Sequence, residues 1–245
     1  SLQQDASNKL GFTTKKSMMV AQQLYEGVEV KGHGTVGLVT YIRTDSVRIS
    51  DEAKAAAREH IHTNFGQNYA ANNVFSNKKK DIQDAHEAIR PSNIALDPEA
   101  IRDSLTTDQY KLYKLIWTRF LASQMSFARY DTMTMDVTGG NVALRFYGEH
   151  KRFAGFTGVY EEGTDDQVES KDTPLPEFEE GALVQILDVE GNQHFTQPPA
   201  RYTDATLIRA MEENGIGRPS TYAPTVSTIL DREYVIKDGK YLRST

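Results

Sequence analysis

Apolar positions recur at helical spacing from the start of the chain. Residues 1–9 and 14–26 read as two helices, with Met19, Val20 and Leu24 on the apolar face of the second and Gly27 as its stop. Gly32 and Gly34 suit a turn. Leu38, Val39, Tyr41 and Ile42 form a short apolar run that predicts a buried strand. Ser50, followed by Asp51 and Glu52, starts a helix: it offers a capping oxygen and negative charge to the positive end of the helix dipole. That helix runs to about Asn64, and Gly66 ends it. Residues 66–81 are rich in Asn and Lys and read as an exposed loop. Thr106 with Gln109 forms a capping box. Behind it Tyr110, Tyr113, Ile116, Trp117, Phe120, Leu121 and Met125 make the clearest core stripe in the sequence.

From Tyr130 the period changes to two. Thr132, Thr134 and Asp136 alternate with Met133, Met135 and Val137, and Gly139-Gly140 turns the chain into Val142–Tyr147. Residues 161–180 are acidic, contain Pro174 and Pro176, and read as a loop; Leu183–Val189 reads as another strand. Thr203-Asp204 then caps a helix to about Asn214, Gly215 and Gly217 break it, and Pro219-Ser220 starts another to about Arg232. Tyr234–Leu242 folds about Asp238-Gly239 as a hairpin. Helix, tight turn, helix and hairpin is the order of a winged helix-turn-helix. The expected fold class is mixed α+β and multidomain.

Composition narrows the function classes. Hydrophobic residues form 38% of the 245, enough to bury a core. No apolar run approaches the ~18 residues that cross a bilayer, and the polar first ten residues carry no signal-peptide pattern. With no cysteine, disulfides, thiol catalysis and Cys-type zinc sites are excluded within the chain. A net charge of −6 argues against a uniformly basic nucleic-acid binder, but the charge is uneven. Residues 131–200 carry 4 Lys/Arg against 14 Asp/Glu, whereas residues 1–130 carry 17 against 14 and residues 201–245 carry 7 against 6.

Three clusters could carry chemistry. In residues 35–50 a tyrosine ends an apolar run and an arginine follows two positions later, which in a strand places Tyr41 and Arg43 on one face. A phenol, with an ordinary pKa of about 10, is a poor nucleophile at neutral pH; a nearby guanidinium favours phenolate and can hold a phosphate. A core tyrosine beside a solvated arginine has the same spacing, and spacing does not separate the two. Residues 83–92 pack His86, two acids and Arg90 ahead of Pro91, suiting either phosphate contact or a charge-paired helix end. Residues 212–222 place Arg218, Ser220 and Thr221 at a Gly-rich helix start, either a phosphate seat or a plain capped turn. His60 and His62 lie at i, i+2 and do not make a metal pair; no metal ligands are expected in this chain.

Together these motifs resemble bacterial type IA DNA topoisomerase I. The resemblance runs through Leu-Gln-Gln-Asp-Ala-Ser (2–7), Tyr-Ile-Arg-Thr-Asp-Ser (41–46), Ala-His-Glu-Ala-Ile-Arg-Pro-Ser (85–92), residues 193–202 and Gly-Ile-Gly-Arg-Pro-Ser-Thr-Tyr-Ala (215–223). It implies that Tyr41 is the nucleophile that forms a transient 5′-phosphotyrosine and that Arg43 positions the scissile phosphate. It further implies that His86 and Arg90, with Arg218, Ser220 and Thr221, bind DNA. The expected partner is a single-stranded region of negatively supercoiled DNA, in the bacterial cytoplasm and not at a membrane. The family's Mg²⁺ is held by an acidic cluster of a Toprim domain, and no Asp-x-Asp-x-Glu cluster occurs here; nor do the cysteines of zinc ribbons. The chain therefore reads as a central piece of a longer enzyme, inactive alone, with the Toprim domain of the same polypeptide as partner. Its expected parts are a winged-helix-like, mainly helical tyrosine domain (1–128), a β-rich arch segment (129–200) and a helix-turn-helix-like DNA-binding segment (201–245). Residues 27–37 look longer than the corresponding turn in some relatives. A winged-helix regulator with a structural tyrosine, or a tyrosine-recombinase-like transferase making a 3′ linkage, are the alternatives from other classes.

Overall fold

A computed structural model describes residues 1–75, 86–161 and 178–245. Helices α1 (Leu2–Leu10) and α2 (Thr14–Glu26) open the chain, and Thr13 caps α2 by accepting the Lys16 N–H at 3.2 Å. A short antiparallel hairpin, β1 (Val28–Val30) and β2 (Gly34–Val36), follows with Val28 opposite Val36. Helix α3 (Asp51–Asn64) starts at Ser50, whose Oγ accepts the Ala53 N–H at 3.3 Å. Helix α4 (Thr107–Ser123) starts at a full capping box between Thr106 and Gln109.

The stripe on α4 is the axis of the main core. Leu112, Tyr113, Ile116, Trp117, Phe120 and Leu121 are buried against Val20 and Leu24 of α2, Leu38 and Ile61 of α3. The two polar atoms of the stripe find carbonyl partners: Tyr113 donates to Leu96 O at 2.7 Å and Trp117 Nε1 to Ile94 O at 3.1 Å. Burial of these rings therefore leaves no orphan donor.

A two-stranded ribbon projects from this body. β3 (Arg129–Gly139) pairs antiparallel with β4 (Val142–Phe153), Gly139 opposite Val142. Opposed Asp136 and Arg145 form a bidentate pair at 2.7 and 2.9 Å. Beyond the ribbon the chain returns to the body at Gly155, with φ +51°, where a Cβ would lie 2.5 Å from the Phe127 backbone. Phe156 donates its N–H to Ser126 O, and Tyr160 is buried with its hydroxyl on Asp5.

Helices α5 (Asp204–Glu213) and α6 (Tyr222–Asp231) precede hairpin β5 (Val235–Asp238) and β6 (Tyr241–Ser244), in the order expected. α5 packs on α1 and α6 on α2, so the third region sits on the first two helices. Its own small core is Ile208, Met211 and Tyr222. Lys237 Nζ lies 2.7 Å from buried Asp204 Oδ1 without the geometry of a directed hydrogen bond, so the contact is a charge pair tying hairpin to helix.

Three expectations change. Leu38, Val39 and Ile42 are buried as expected and Thr40 and Tyr41 half-buried, but the run forms one isolated bridge, Val39 to Pro91, instead of a strand. Pro91 has no N–H to extend a ladder. Leu183–Val189 forms no strand and packs on no sheet among the described residues; Leu183 is fully exposed and Leu187 is 88% exposed. Apolar content alone does not make a strand without a partner edge. Residues 66–75 are anchored as well as irregular: a 3₁₀ turn spans Gln67–Tyr69, and Asn73 donates to Ser123 O and Met125 O. The last residues of that loop, Gln83 to Ala85 of the second cluster, and Pro174 and Pro176 of the acidic loop lie outside the described residues.

Candidate active site around Tyr41

Residues 37–42 are held in place by hydrogen bonds to two separate parts of the chain. Leu38 donates its N–H to Leu24 O at the end of α2, at 2.7 Å, and Ser92 donates to Leu38 O at 2.9 Å and from its hydroxyl to Gly37 O at 2.6 Å. Gly37 lies so close to α2 that a Cβ there would stand 2.7 Å from the Tyr25 carbonyl oxygen. Thr40 completes the clamp. Its N–H donates to Arg90 O at 2.9 Å, its hydroxyl donates to Ala88 O at 2.8 Å, and the same oxygen accepts the Arg90 N–H at 2.9 Å. The residue before the tyrosine thus welds the first motif to the second.

Two other rings contact the Tyr41 ring beyond this clamp. His86 lies 4.6 Å away, centroid to centroid, tilted by 39°. Tyr25 meets it edge-on at 5.7 Å and 71°. Arg43 is exposed, and among the described residues no hydrogen bond or ion pair engages its guanidinium. Because residues 41–43 are not a strand, the shared-face argument for Tyr41 and Arg43 does not apply; what places Tyr41 is the clamp and the ring contacts.

The described residues of the second motif, 86–92, are in no helix. They run irregularly, with Ala88 donating to Arg48 O at 2.8 Å. Arg90 faces inward: Nε bonds Glu87 at 2.8 Å, one terminal nitrogen Pro91 O at 2.9 Å, the other Ser50 Oγ at 3.4 Å. Its guanidinium shapes the segment that presents His86.

The third motif comes to the same place from α5 and α6. Arg218 reaches Asp45 at 3.9 Å, and its N–H donates to Thr221 Oγ1 at 2.8 Å. Ser220 and Thr221 are exposed. Gln3 Nε2 of α1 donates to Pro219 O at 3.0 Å and Gln4 Nε2 to Glu212 at 3.3 Å, fixing the turn against α1. A cleft of about 580 Å³ lies in this seam, lined among others by Gln3, Ile42, Asp45, Arg209 and Tyr222. Burial, reinforced by the negative charge of Glu212, raises the Tyr222 phenol above its ordinary value.

The structure therefore brings Tyr41 and His86 into contact and carries Arg218 to the same loop through Asp45. Motif reading did not single out Thr40, Tyr25 and Asp45. A hydroxyl that can donate once and accept twice, at the end of an apolar run, was the available signal for Thr40. Among the described residues, no three His, Asp or Glu side chains group to hold a metal ion. Asp45 of the first motif and Glu87 of the second each face an arginine, and this pair does not fit Mg²⁺.

A family model described as DNA topoisomerase matches residues 1–245. The chain is also similar to the structure of full-length topoisomerase I from Thermotoga maritima, at 41% identity and a TM-score of 0.87 over 100% of this chain. It spans 39% of the length of that protein.

Proposed function

The chain belongs to the DNA topoisomerase family, and from that membership we propose that it is the tyrosine-bearing segment of a longer type IA enzyme that relaxes negatively supercoiled DNA. Tyr41 attacks a phosphodiester of one strand. Its oxygen bonds to phosphorus while the 3′ oxygen leaves and takes a proton, giving a 5′-phosphotyrosine and a free 3′-hydroxyl. One phosphodiester is exchanged for another, so resealing is the same exchange in reverse and consumes no ATP. The work is positioning and charge stabilisation. Arg43, exposed beside the nucleophile, holds the scissile phosphate; His86, Arg218, Ser220 and Thr221 line the path of the single strand, and Arg90 holds the segment that carries His86. Residues 1–128 act as the winged-helix-like tyrosine domain, 129–200 as part of the β-rich arch and 201–245 as the helical DNA-binding segment. Mg²⁺ has its ligands in a Toprim domain of the same polypeptide, and the enzyme works in the bacterial cytoplasm.

The observation that carries this reading is that the motif holding half-buried Tyr41 meets two others far apart in sequence, His86 at Tyr41 itself and Arg218 at Asp45. The test is a denaturing gel of the full-length polypeptide incubated with an end-labelled single-stranded oligonucleotide and Mg²⁺. Wild type is expected to form an adduct at the 5′ end created by the break. Tyr41→Phe is expected to form none while keeping its affinity for the strand. An adduct with Tyr41→Phe, or a 3′ linkage, overturns the assignment.

A further inference from the structure

The Tyr41 side chain has rotational freedom about two bonds, and no hydrogen bond to its hydroxyl is present among the described residues. Its orientation must come from packing. One contact is the imidazole of His86, which belongs to the proposed DNA path. The other is Tyr25, from the last turn of α2, contacting the nucleophile edge-to-face. That arrangement is the favoured one for two aromatic rings, because the positive edge of one meets the negative face of the other. We infer that Tyr25 is a positioning residue for the nucleophile, setting the plane from which the Tyr41 oxygen approaches phosphorus. The inference rests on Tyr41 being that nucleophile.

Three features favour a positioning role over incidental contact. Tyr25 is 39% exposed and outside the main core, so packing of the body does not account for its ring. Its backbone is fixed from both directions: Leu24 O accepts the Leu38 N–H at 2.7 Å, and the Tyr25 carbonyl abuts Gly37 with no room for a side chain. The hairpin between them, β1 with β2, closes the eleven-residue excursion of residues 27–37 on itself, so the two tyrosines are returned to one another at a set distance. The excursion is thus built as a strut and not as slack chain.

The experiment compares Tyr25→Ala and Tyr25→Phe in the full-length polypeptide, reading single-turnover cleavage of a saturating single-stranded oligonucleotide, its Kd, and thermal unfolding. Loss of the ring is expected to slow adduct formation about tenfold with Kd unchanged, and Tyr25→Phe, which keeps the edge-to-face contact, to stay within about twofold of wild type. Wild-type rates for Tyr25→Ala overturn the inference. So does equal impairment of both variants, which would assign the effect to the hydroxyl. A raised Kd with unchanged rate at saturation would make Tyr25 a DNA contact and also overturns it. If wild type itself forms no adduct, the nucleophile assignment fails instead, and the two failures are told apart.

Discussion

Thr40 does more for the site than its size suggests. One hydroxyl serves as donor to Ala88 O and as acceptor from the Arg90 N–H, while the backbone N–H of the same residue bonds Arg90 O. Thr40→Val keeps the shape and removes the oxygen, leaving a part-buried carbonyl and N–H without that partner. The expected cost is about 1–3 kcal/mol, seen as a lower midpoint in denaturant unfolding. Slower adduct formation should accompany it, since the clamp that seats Tyr41 is loosened. An unchanged midpoint would mean that water replaces the hydroxyl at no cost. Arg90 shows the same economy: two of its bonds stay within the motif and the third reaches Ser50, so its charge is spent on Glu87 and on presenting His86.

At the scale of elements, α4 is where pattern and packing agree. Its capping box and its stripe were readable because each depends on residues a few positions apart. The run at 38–42 was readable as buried but not as irregular, because Pro91, which stops the ladder, lies fifty residues away in sequence and only meets Val39 in the fold. The partner edge that Leu183–Val189 would need is likewise not encoded in that segment. The resemblance implied roles for Tyr41 and His86 on the same DNA, whereas Tyr25 carried no signal, because nothing in an amphipathic helix marks its last turn as the neighbour of residue 41. Within α4, Tyr113 supplies a test of the core. Burial, aided by the negative charge of Asp97, pushes its phenol well above the ordinary value, so the native state resists ionisation that the unfolded chain undergoes near pH 10. Its contribution is present below about pH 10 and is lost as pH rises beyond that. Tyr113→Phe should lower stability by about 1 kcal/mol at neutral pH, through the lost bond to Leu96 O. It should also make the decline of Tm above pH 10 shallower. Tyr160 and Tyr222 are shifted in the same direction, so the decline is reduced and not abolished.

Across the whole molecule, charge and site are separated. The −6 balance comes from an acidic middle third, while the three motifs lie in flanks whose positive charges slightly outnumber their negative ones. Repulsion of DNA by the acidic stretch is screened over about 10 Å at 0.1 M salt, so the net figure does not govern what happens at Tyr41. In the proposed reaction what governs it is which groups stand near the phosphate. The His86 ring touches Tyr41, exposed Arg43 lies two residues on and Arg218 reaches the same loop at Asp45, while Asp45 and Glu87 are each paired with an arginine. Such a set can hold a strand and aim a nucleophile. It does not supply the carboxylate cluster that would fix a divalent cation beside the leaving oxygen, a contribution worth several kcal/mol in phosphoryl chemistry. The 245-residue chain on its own is therefore expected to shift a single-stranded oligonucleotide in a native gel, with affinity falling as salt rises. With Mg²⁺ and a negatively supercoiled plasmid it is expected to leave the topoisomer ladder unchanged, whereas the full-length polypeptide relaxes it. Relaxation by the chain alone would mean that Tyr41 and its neighbours complete the reaction without a partner domain, and the division of labour proposed for this enzyme would have to be redrawn around the residues of residues 1–245 themselves.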